Sequence, residues 1–422
     1  MIRKMKQQGY DLLRKSEKYT KTDMVYLAKG GSWLSISFFT TSVLVFIQSL
    51  FFANILSAEA YGTYKYVLTF MSILSLATLP GIRAVITNLA AENKDGSIRT
   101  LIASRLRWGL LSVLGAIIIS LYYFLNDNYV LGSCFLIVSA LLLPFEIGTS
   151  TSAFLIGKKR FKKNSIYEIV TTLFSFTATT LSLFFTQNII FIIGTYFLSF
   201  SIVRMIFFFT ELKKIPKHSI NNNLKDDISF GKHLSFIKTL SEGVNYIDKI
   251  LVFTFLGSAQ LAYYSVASAI PDQLKNLGTI FRNLSASKFS SQTKENIGQT
   301  IFSKYIRLLA LFGFISLIYI LLAPYFFKVF FPQYQDAVLY TQFLALGFFA
   351  GPNQVLYQAL NSKKMKREIN IINISIPILR IVLYLTLLPL FQLWGLIFAH
   401  VFSNATSSIL SLFLLSKTPK KS

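Results

Sequence analysis

Cysteine occurs once in the 422 residues, as Cys134, and histidine three times, as His218, His233 and His400. A single cysteine excludes a disulfide framework, and the histidines are too scattered to ligate zinc. Carboxylates are also scarce, with 18 Asp and Glu against 42 Lys and Arg. Charged residues make up only 14% of the chain, where a soluble domain carries about 25%. No Ser/His/Asp arrangement or acidic catalytic cluster can be argued from so few groups. A G-x-x-x-x-G-K-[ST] loop is missing, so the sequence has no phosphate cradle for burning ATP. No cleavable signal peptide is visible, because the first apolar run starts near Gly30 behind a long polar segment.

What the chain does contain is apolar length. Hydrophobic residues reach 53%, phenylalanine occurs 41 times, and the mean hydropathy is +0.54. A helix needs roughly 20 apolar residues to cross the hydrocarbon layer. Apolar spans fall near 30–53, 63–87, 108–125, 130–156, 166–186, 189–209, 236–257, 262–284, 305–323, 338–360, 369–390 and 393–415. These runs are continuous rather than alternating, which excludes a β-barrel. The expected fold class is an all-α integral membrane protein with about twelve transmembrane helices.

The formal net charge of +24 does not point to nucleic acid, because the basic residues sit in short segments between apolar runs. They occupy alternate loops, as in Arg3 to Lys29, Lys94 to Arg107, Lys158 to Lys163, Lys213 to Lys232, Lys288 to Lys304, Lys363 to Arg367 and Lys417 to Lys421. The intervening loops near 54–62, 126–129, 187–188, 258–261 and 391–392 hold no Lys or Arg, and only Lys328 departs from the pattern. The positive-inside rule then places both termini in the cytoplasm of a multi-pass protein. The loops of the other side are short, which leaves no room for an extramembrane catalytic domain.

Two segments repeat at a distance. Leu56-Ser57-Ala58-Glu59-Ala60-Tyr61-Gly62-Thr63-Tyr64 is echoed by Leu256-Gly257-Ser258-Ala259-Gln260-Leu261-Ala262-Tyr263-Tyr264, and Leu155-Ile156-Gly157-Lys158-Lys159 by Leu360-Asn361-Ser362-Lys363-Lys364. Repeats of even span number share one orientation, so the halves should be related by a pseudo-twofold along the membrane normal. The expected organisation is a cytoplasmic segment 1–29, an N-lobe 30–209, a cytoplasmic linker 210–235, a C-lobe 236–415 and a basic tail 416–422.

The same residues carry a family resemblance. Phe51-Phe52-Ala53-Asn54-Ile55-Leu56 running into Glu59-Ala60-Tyr61-Gly62-Thr63-Tyr64, the Pro80-Gly81 break, and Asp248-Lys249-Ile250-Leu251 running into Ala262-Tyr263-Tyr264-Ser265-Val266-Ala267 resemble the polysaccharide-exporting branch of the multidrug/oligosaccharidyl-lipid/polysaccharide (MOP) exporter superfamily. The resemblance implies two six-helix lobes around a central cavity and a lipid-linked oligosaccharide as substrate. It further implies a bacterial cytoplasmic (inner) membrane location, an O-antigen-like pathway, and glycosyltransferases and a polymerase of that pathway as partners. It implies no cofactor and a transporter rather than an enzyme.

Polar residues recur at helical spacing inside several spans. Span seven carries Lys238, Glu242, Asn245 and Lys249; span eight carries Ser268, Asp272, Lys275, Thr279 and Arg282. Span two offers Lys65, Thr69, Ser72 and Arg83, and span five Asn164, Glu168, Ser175, Thr179 and Ser182. Asn370, Asn373 and Arg380 mark span eleven, and His400, Asn404 and Ser411 span twelve. Spans three and nine have almost nothing comparable and should face lipid. Charges at membrane depth cost about 2.5–3.5 kcal/mol each unless they face one another or water, so an aqueous cavity accounts for the stripes. Residues near span ends, among them Lys65, Arg83, Arg204, Lys238 and Arg282, could equally snorkel to the interface. Asp248, Lys249, Asp272, Lys275 and Arg380 either line the cavity or form structural ion pairs, and His400 is more readily a packed polar residue than a proton carrier.

With an anionic lipid-linked sugar implied, the candidates for its phosphates are Arg83, Lys249, Lys275, Arg282 and Arg380. Asn245, Ser268, Thr279 and Asn373 are candidates for the sugar, and Glu146, Asp248 and Asp272 for a coupling ion. Glu146, beside Pro144, could instead satisfy kinked backbone. A drug/cation antiporter of the same superfamily is the main alternative and would favour carboxylates and aromatics. A membrane glycosyltransferase or polymerase lacks the acidic cluster and loops it needs. The topology is directly testable. Reporters fused after Asn126 or Gln187 should read as external, and those after Lys163, Lys294 or the C-terminus as cytoplasmic. A cytoplasmic signal from either of the first two would overturn the twelve-span reading.

Overall fold

The computed structural model describes residues 24–215, 224–290, 297–353, 356–357, 360 and 365–416. These residues are almost wholly helical. In chain order the helices are α1 Met24–Ile55, α2 Ala58–Ser75, α3 Ile82–Ala91, α4 Ile98–Leu125, α5 Tyr129–Gly157, α6 Phe161–Phe185, α7 Ile189–Leu212, α8 Leu224–Ser290, α9 Ile297–Phe330, α10 Ala337–Leu346 and α11 Lys366–Ser416. Two are double spans: α8 is interrupted by the non-helical Gly257 (φ 89°) and α11 by Gln392 (φ 52°). With both divided there, and α2–α3 counted as one broken span, the described residues match the expected architecture of about twelve spans. Helices suit this composition because every backbone N–H and C=O finds a partner inside its own segment.

Short connections use local chemistry. Asn128 and Asn188 cap α5 and α7 by accepting from the N–H groups of Leu131 and Ile190, both at 3.0 Å. Asp127 and Lys159 take left-handed φ of 57° and 59° just past helix ends, and Arg160 N–H returns to the Leu155 carbonyl at 2.8 Å. Arg99 closes the C-terminus of α7, donating to the carbonyls of Leu212 at 2.6 Å and Ile215 at 2.9 Å.

Span two departs from the expected continuous helix over 63–87. It breaks at Leu79-Pro80, where Leu79 adopts φ 56°, and α2 and α3 meet at 57°. Proline lacks the N–H that would continue the ladder and clashes with the preceding turn.

The chain forms two compact units. Unit 1 comprises 1–51 and 71–240, and unit 2 comprises 52–70 and 241–422. Unit 1 is centred on Ile82, Ile86, Ile98, Leu101, Phe154 and Phe208. The first turns of α8 belong to it: Gly81 N–H donates to Ser235 Oγ at 2.9 Å, and Lys232 lies over the Trp108 ring. In unit 2 the end of α1 and the start of α2 pack among α8, α9 and the turn after α9. Asn54 Nδ2 donates to the Phe330 carbonyl at 2.8 Å, Gln333 Nε2 to the Asn54 carbonyl at 2.9 Å, and the Tyr66 ring stacks on Phe253 at 3.6 Å. The two echoed segments therefore meet within one unit. Gly62 sits directly against the Ser258 carbonyl.

Two expectations about polar stripes are corrected here. In α6, Ser175, Thr179 and Ser182 are buried in packing seams rather than facing a cavity. Gln48 Nε2 donates to Thr179 Oγ1 at 2.7 Å, and Ser199 Oγ to Ser175 Oγ at 3.0 Å. Small hydroxyl residues let helices approach closely and bond across the contact, so the stripe in span five is mostly helix glue. Span three, α4, exposes Leu110, Leu114, Ile118 and Leu121 on one face, but the other buries Arg105, Ser112 and Ser120. Span nine, in α9, likewise exposes Phe314, Leu317 and Leu321, while Ser316 Oγ bonds the Ala345 carbonyl at 2.8 Å.

The Gly62 contact has a measurable consequence. A Cβ at Gly62 would strike backbone, which cannot rotate away. Gly62→Ala is expected to destabilise unit 2 by about 1–3 kcal/mol, the usual cost of overpacking, and to lower the thermal midpoint of the detergent-solubilised protein. Gly31→Ala, with open space at its Cβ, should leave the midpoint unchanged.

Candidate functional site

Unit 2 gathers most of the described candidate residues. α8 contributes Asn245, Asp248 and Lys249 before its break and Tyr264, Ser268 and Asp272 after it; α2 adds Lys65, and α11 adds Asn373, Arg380, Tyr384 and His400. The break at Gly257 turns the chain back, which is why residues 248 and 264 meet. The Tyr264 hydroxyl donates to Asp248 Oδ2 at 2.7 Å, and Lys249 N–H donates to Oδ1 at 2.8 Å. Asp248 is 8% exposed. The structural Asp248–Lys249 ion pair considered from the sequence does not form, because the carboxylate is held by a tyrosine instead.

The basic groups are differently placed. Lys65 lies 5.1 Å from the Tyr61 ring centroid and interacts electrostatically with Lys249 and Asp272. Arg380 donates to Ser403 Oγ at 3.0 Å and Asn404 Oδ1 at 2.8 Å, tying the two halves of α11 together. Tyr384 bonds His400 Nδ1 at 3.0 Å and feels the charges of Asp248, Arg380 and Asp272. His400 is thus a packed, hydrogen-bonded residue. Among the described residues, Lys65, Lys249 and Arg380 have no carboxylate within 4.0 Å. Unit 2 therefore offers cationic groups that no described carboxylate neutralises by contact.

The remaining candidates divide. Asp272 and Asn245 are exposed. Asn373 is exposed and donates to the Tyr357 hydroxyl at 3.0 Å. Ser268 is buried, its hydroxyl directed at the Ser265 carbonyl, so it is not presented to a sugar in this conformation. The side chains of Lys275, Thr279 and Arg282 lie outside the described residues. Arg83 belongs to unit 1, exposed on α3, and is not part of the unit 2 group.

Glu146 also belongs to unit 1, in a knot around Arg105. Arg105 is 4% exposed, and its Nε donates to the Thr78 carbonyl at 3.1 Å. Its Nη1 donates to Ser150 Oγ at 2.6 Å and Thr149 Oγ1 at 2.9 Å, and Nη2 lies 3.4 Å from Glu146 Oε2. The guanidinium satisfies a carbonyl freed by the broken α2–α3 span, and Glu146 supplies its counter-charge. From the sequence, Arg105 reads as part of the basic loop Lys94 to Arg107. A signal was present, because Ile98, Leu101, Ile102 and Arg105 fall at i, i+3, i+4 and i+7 on one helical face. Tyr264 and Tyr384 are likewise absent from the sequence-based candidates, whereas Lys65 stands on the span-two stripe without a substrate role. The tyrosines carry no signal of their own in an apolar run.

The knot can be tested apart from function. Arg105→Met would leave the Thr78 carbonyl and Glu146 without their donor, at an expected cost of about 3–5 kcal/mol. Glu146→Gln should cost much less, since the guanidinium keeps its other acceptors. Folded yield and thermal midpoint of the two variants decide the order.

The chain's relatives agree with this architecture. Residues 27–277, more than half of the chain, match the family described as "Polysaccharide biosynthesis protein". A comparison with curated protein sequences finds no match. Among solved structures, the chain is similar to the lipid II flippase MurJ in an inward closed conformation, with TM-score 0.69 and 15% identity over 92% of this chain and 88% of that one. It is also similar to an inward-facing multidrug resistance MATE family transporter of the MOP superfamily, with TM-score 0.66 and 13% identity over 92% of this chain and 99% of that one. An outward-facing MATE conformation matches at TM-score 0.59 and 12% identity, covering 93% and 94%. The chain belongs to the polysaccharide biosynthesis protein family, a multi-pass membrane protein with the fold of the MOP exporters.

Proposed function

We propose that the protein is a flippase that carries a polyprenyl-pyrophosphate-linked oligosaccharide from the cytoplasmic to the outer leaflet of the bacterial cytoplasmic membrane. It serves surface polysaccharide synthesis of the O-antigen type, beside the glycosyltransferases and polymerase of that pathway. The two six-helix lobes, 30–209 and 236–415, would alternate access by rocking, with both chain termini in the cytoplasm. The observation that carries the reading, beyond family membership, is the set of basic groups in unit 2. Lys65, Lys249 and Arg380 stand without ion-pair partners among the described residues, and a diphosphate needs such groups. Its polyprenyl tail can stay in lipid while the head crosses. Of the three candidate ion carriers, Glu146 is engaged by Arg105 and Asp248 by Tyr264, which leaves the exposed Asp272 as the best placed. A drug/cation antiporter would need carboxylates to dominate the same region, and they do not.

Reconstituted full-length protein tests this. Translocation of a fluorescent polyprenyl-pyrophosphate-linked saccharide should fall tenfold or more in Lys65→Gln and Lys249→Gln, the equivalent of losing one charge-assisted hydrogen bond of about 1.5–3 kcal/mol. Lys249→Arg should keep part of the rate. Full activity in Lys249→Gln/Asp248→Asn, or export of an organic cation in place of the lipid, would overturn the reading.

A further inference from the structure

Unit 1 contains a polar cleft that neither the Arg105 knot nor the unit 2 group uses. α5, α6 and α7 enclose it, and Thr151, Ser152, Asn164, Glu168, Arg204 and Phe207 are among the residues that line it. Three of these have unmet hydrogen-bonding capacity. Thr151 is 6% exposed, and its Oγ1 has no partner among the described residues. Asn164 is 5% exposed, and its side-chain amide makes no hydrogen bond among the described residues. The half-buried Glu168 carboxylate has neither ion pair nor hydrogen bond among them. Thr171, by contrast, is satisfied by the Tyr167 carbonyl at 2.7 Å. Asn164, Glu168 and Thr171 fall at i, i+4 and i+7, so one face of α6 forms this wall.

Burying a polar group without a partner is costly, most of all for a charged one. Thr151 is such a group, and the Asn164 amide and Glu168 carboxylate open onto the same cleft, so one occupant there would complete all three. Arg204 limits what that occupant is. Its Nη1 donates to the Phe145 carbonyl at 2.7 Å, and its guanidinium is packed 4.3 Å from the Phe145 ring centroid and 5.2 Å from that of Phe200. This fixed positive charge and the free Glu168 carboxylate sum to zero, so the cleft does not call for a net ion. It calls for donors toward Glu168 and for groups that both donate and accept toward Asn164 and Thr151. Adjacent hydroxyls do both, and a pair of them matches the two oxygens of a carboxylate. Phe207, stacked on Tyr167 at 3.8 Å with their planes 1° apart, adds an apolar wall suited to the C–H face of a ring. The space reaches ≈ 280 Å³ only when its open mouth is counted, so a ring would rest in the mouth and insert hydroxyls.

We propose that this cleft is a subsite for one neutral sugar residue, whose hydroxyls are held by Glu168, Asn164 and Thr151. The proposal rests on the reading of the cargo as a saccharide.

The test uses full-length protein in nanodiscs and three probes: glucose, galactose and N-acetylglucosamine, each followed by saturation-transfer NMR. At least one should bind saturably with roughly millimolar affinity, and Glu168→Gln and Thr151→Val should each weaken it tenfold or more. Thr151→Val is isosteric and removes only the unpartnered hydroxyl, so it reports even where the Glu168 variant fails to fold. Absence of saturable binding, or equal binding by wild type and Thr151→Val, overturns the subsite. A sodium-specific rise in thermal midpoint, measured against choline and abolished by Glu168→Gln, also overturns it and assigns a cation instead. If the sugars fail to bind while the wild type still translocates the lipid-linked saccharide, only the subsite falls. Binding without translocation would remove the flippase reading and leave the sugar site.

Discussion

A polar group inside the hydrocarbon layer has no water to fall back on, so each one must find a partner in the protein or in what the protein carries. This constraint organises both units. Arg105 is the plainest case. The break at Pro80 frees carbonyls of span two, and a guanidinium entering from α4 takes up the Thr78 oxygen along with two hydroxyls and Glu146. The kink and the arginine are one device, since neither is affordable in lipid without the other. In α6 the same requirement is met by hydroxyls bonding across helix seams. Glu211 is another instance: it is 1% exposed and carries Lys163, Lys214 and the Tyr167 hydroxyl on its carboxylate.

Where the protein leaves polar groups without partners, the pattern differs between the units. Unit 2 presents ammonium groups at Lys65 and Lys249, while its buried carboxylate Asp248 is satisfied by Tyr264. That asymmetry favours an anionic partner. Unit 1 presents the Glu168 carboxylate beside an arginine held by one carbonyl and two aromatic rings, together with the buried, unpartnered Thr151 hydroxyl, and that balance favours a neutral, hydroxyl-rich one. A lipid-linked saccharide has both chemistries in one molecule, the phosphates at one end and the sugars at the other.

Much of the architecture was legible in the chain. Continuous apolar runs of membrane length, parted by loops with and without Lys and Arg, specify helices and their number because hydrocarbon thickness sets a length and backbone hydrogen bonding excludes other structures. The echo of Tyr61-Gly62 in Leu261-Ala262 was visible too, and its physical meaning emerged as a close contact of Gly62 with the Ser258 backbone. The candidate site was legible only in part. Lys249, Asp272 and Arg380 were found by helical spacing and Asp248 by its charge at mid-span, and spacing identifies the face a residue shares but not what lies opposite that face. The buried hydroxyl stripe of α6 and the exposed acid of α8 have the same periodicity in sequence, and their surroundings alone tell them apart.

The sequence by itself determined the solvent of this protein, its helical class and span count, and the stretches in which polar residues had to be accounted for. These follow from composition and from lengths measured along one helix, which are local quantities. The tertiary structure decided the partners: that the Asp248 carboxylate is held by the Tyr264 hydroxyl rather than by the Lys249 ammonium, that Arg105 is a buried clasp rather than a loop charge, and that Thr151, Asn164 and Glu168 share one cleft. A hydrogen bond depends on distances of about 3 Å between groups far apart in the chain, and no periodicity within one helix carries that information.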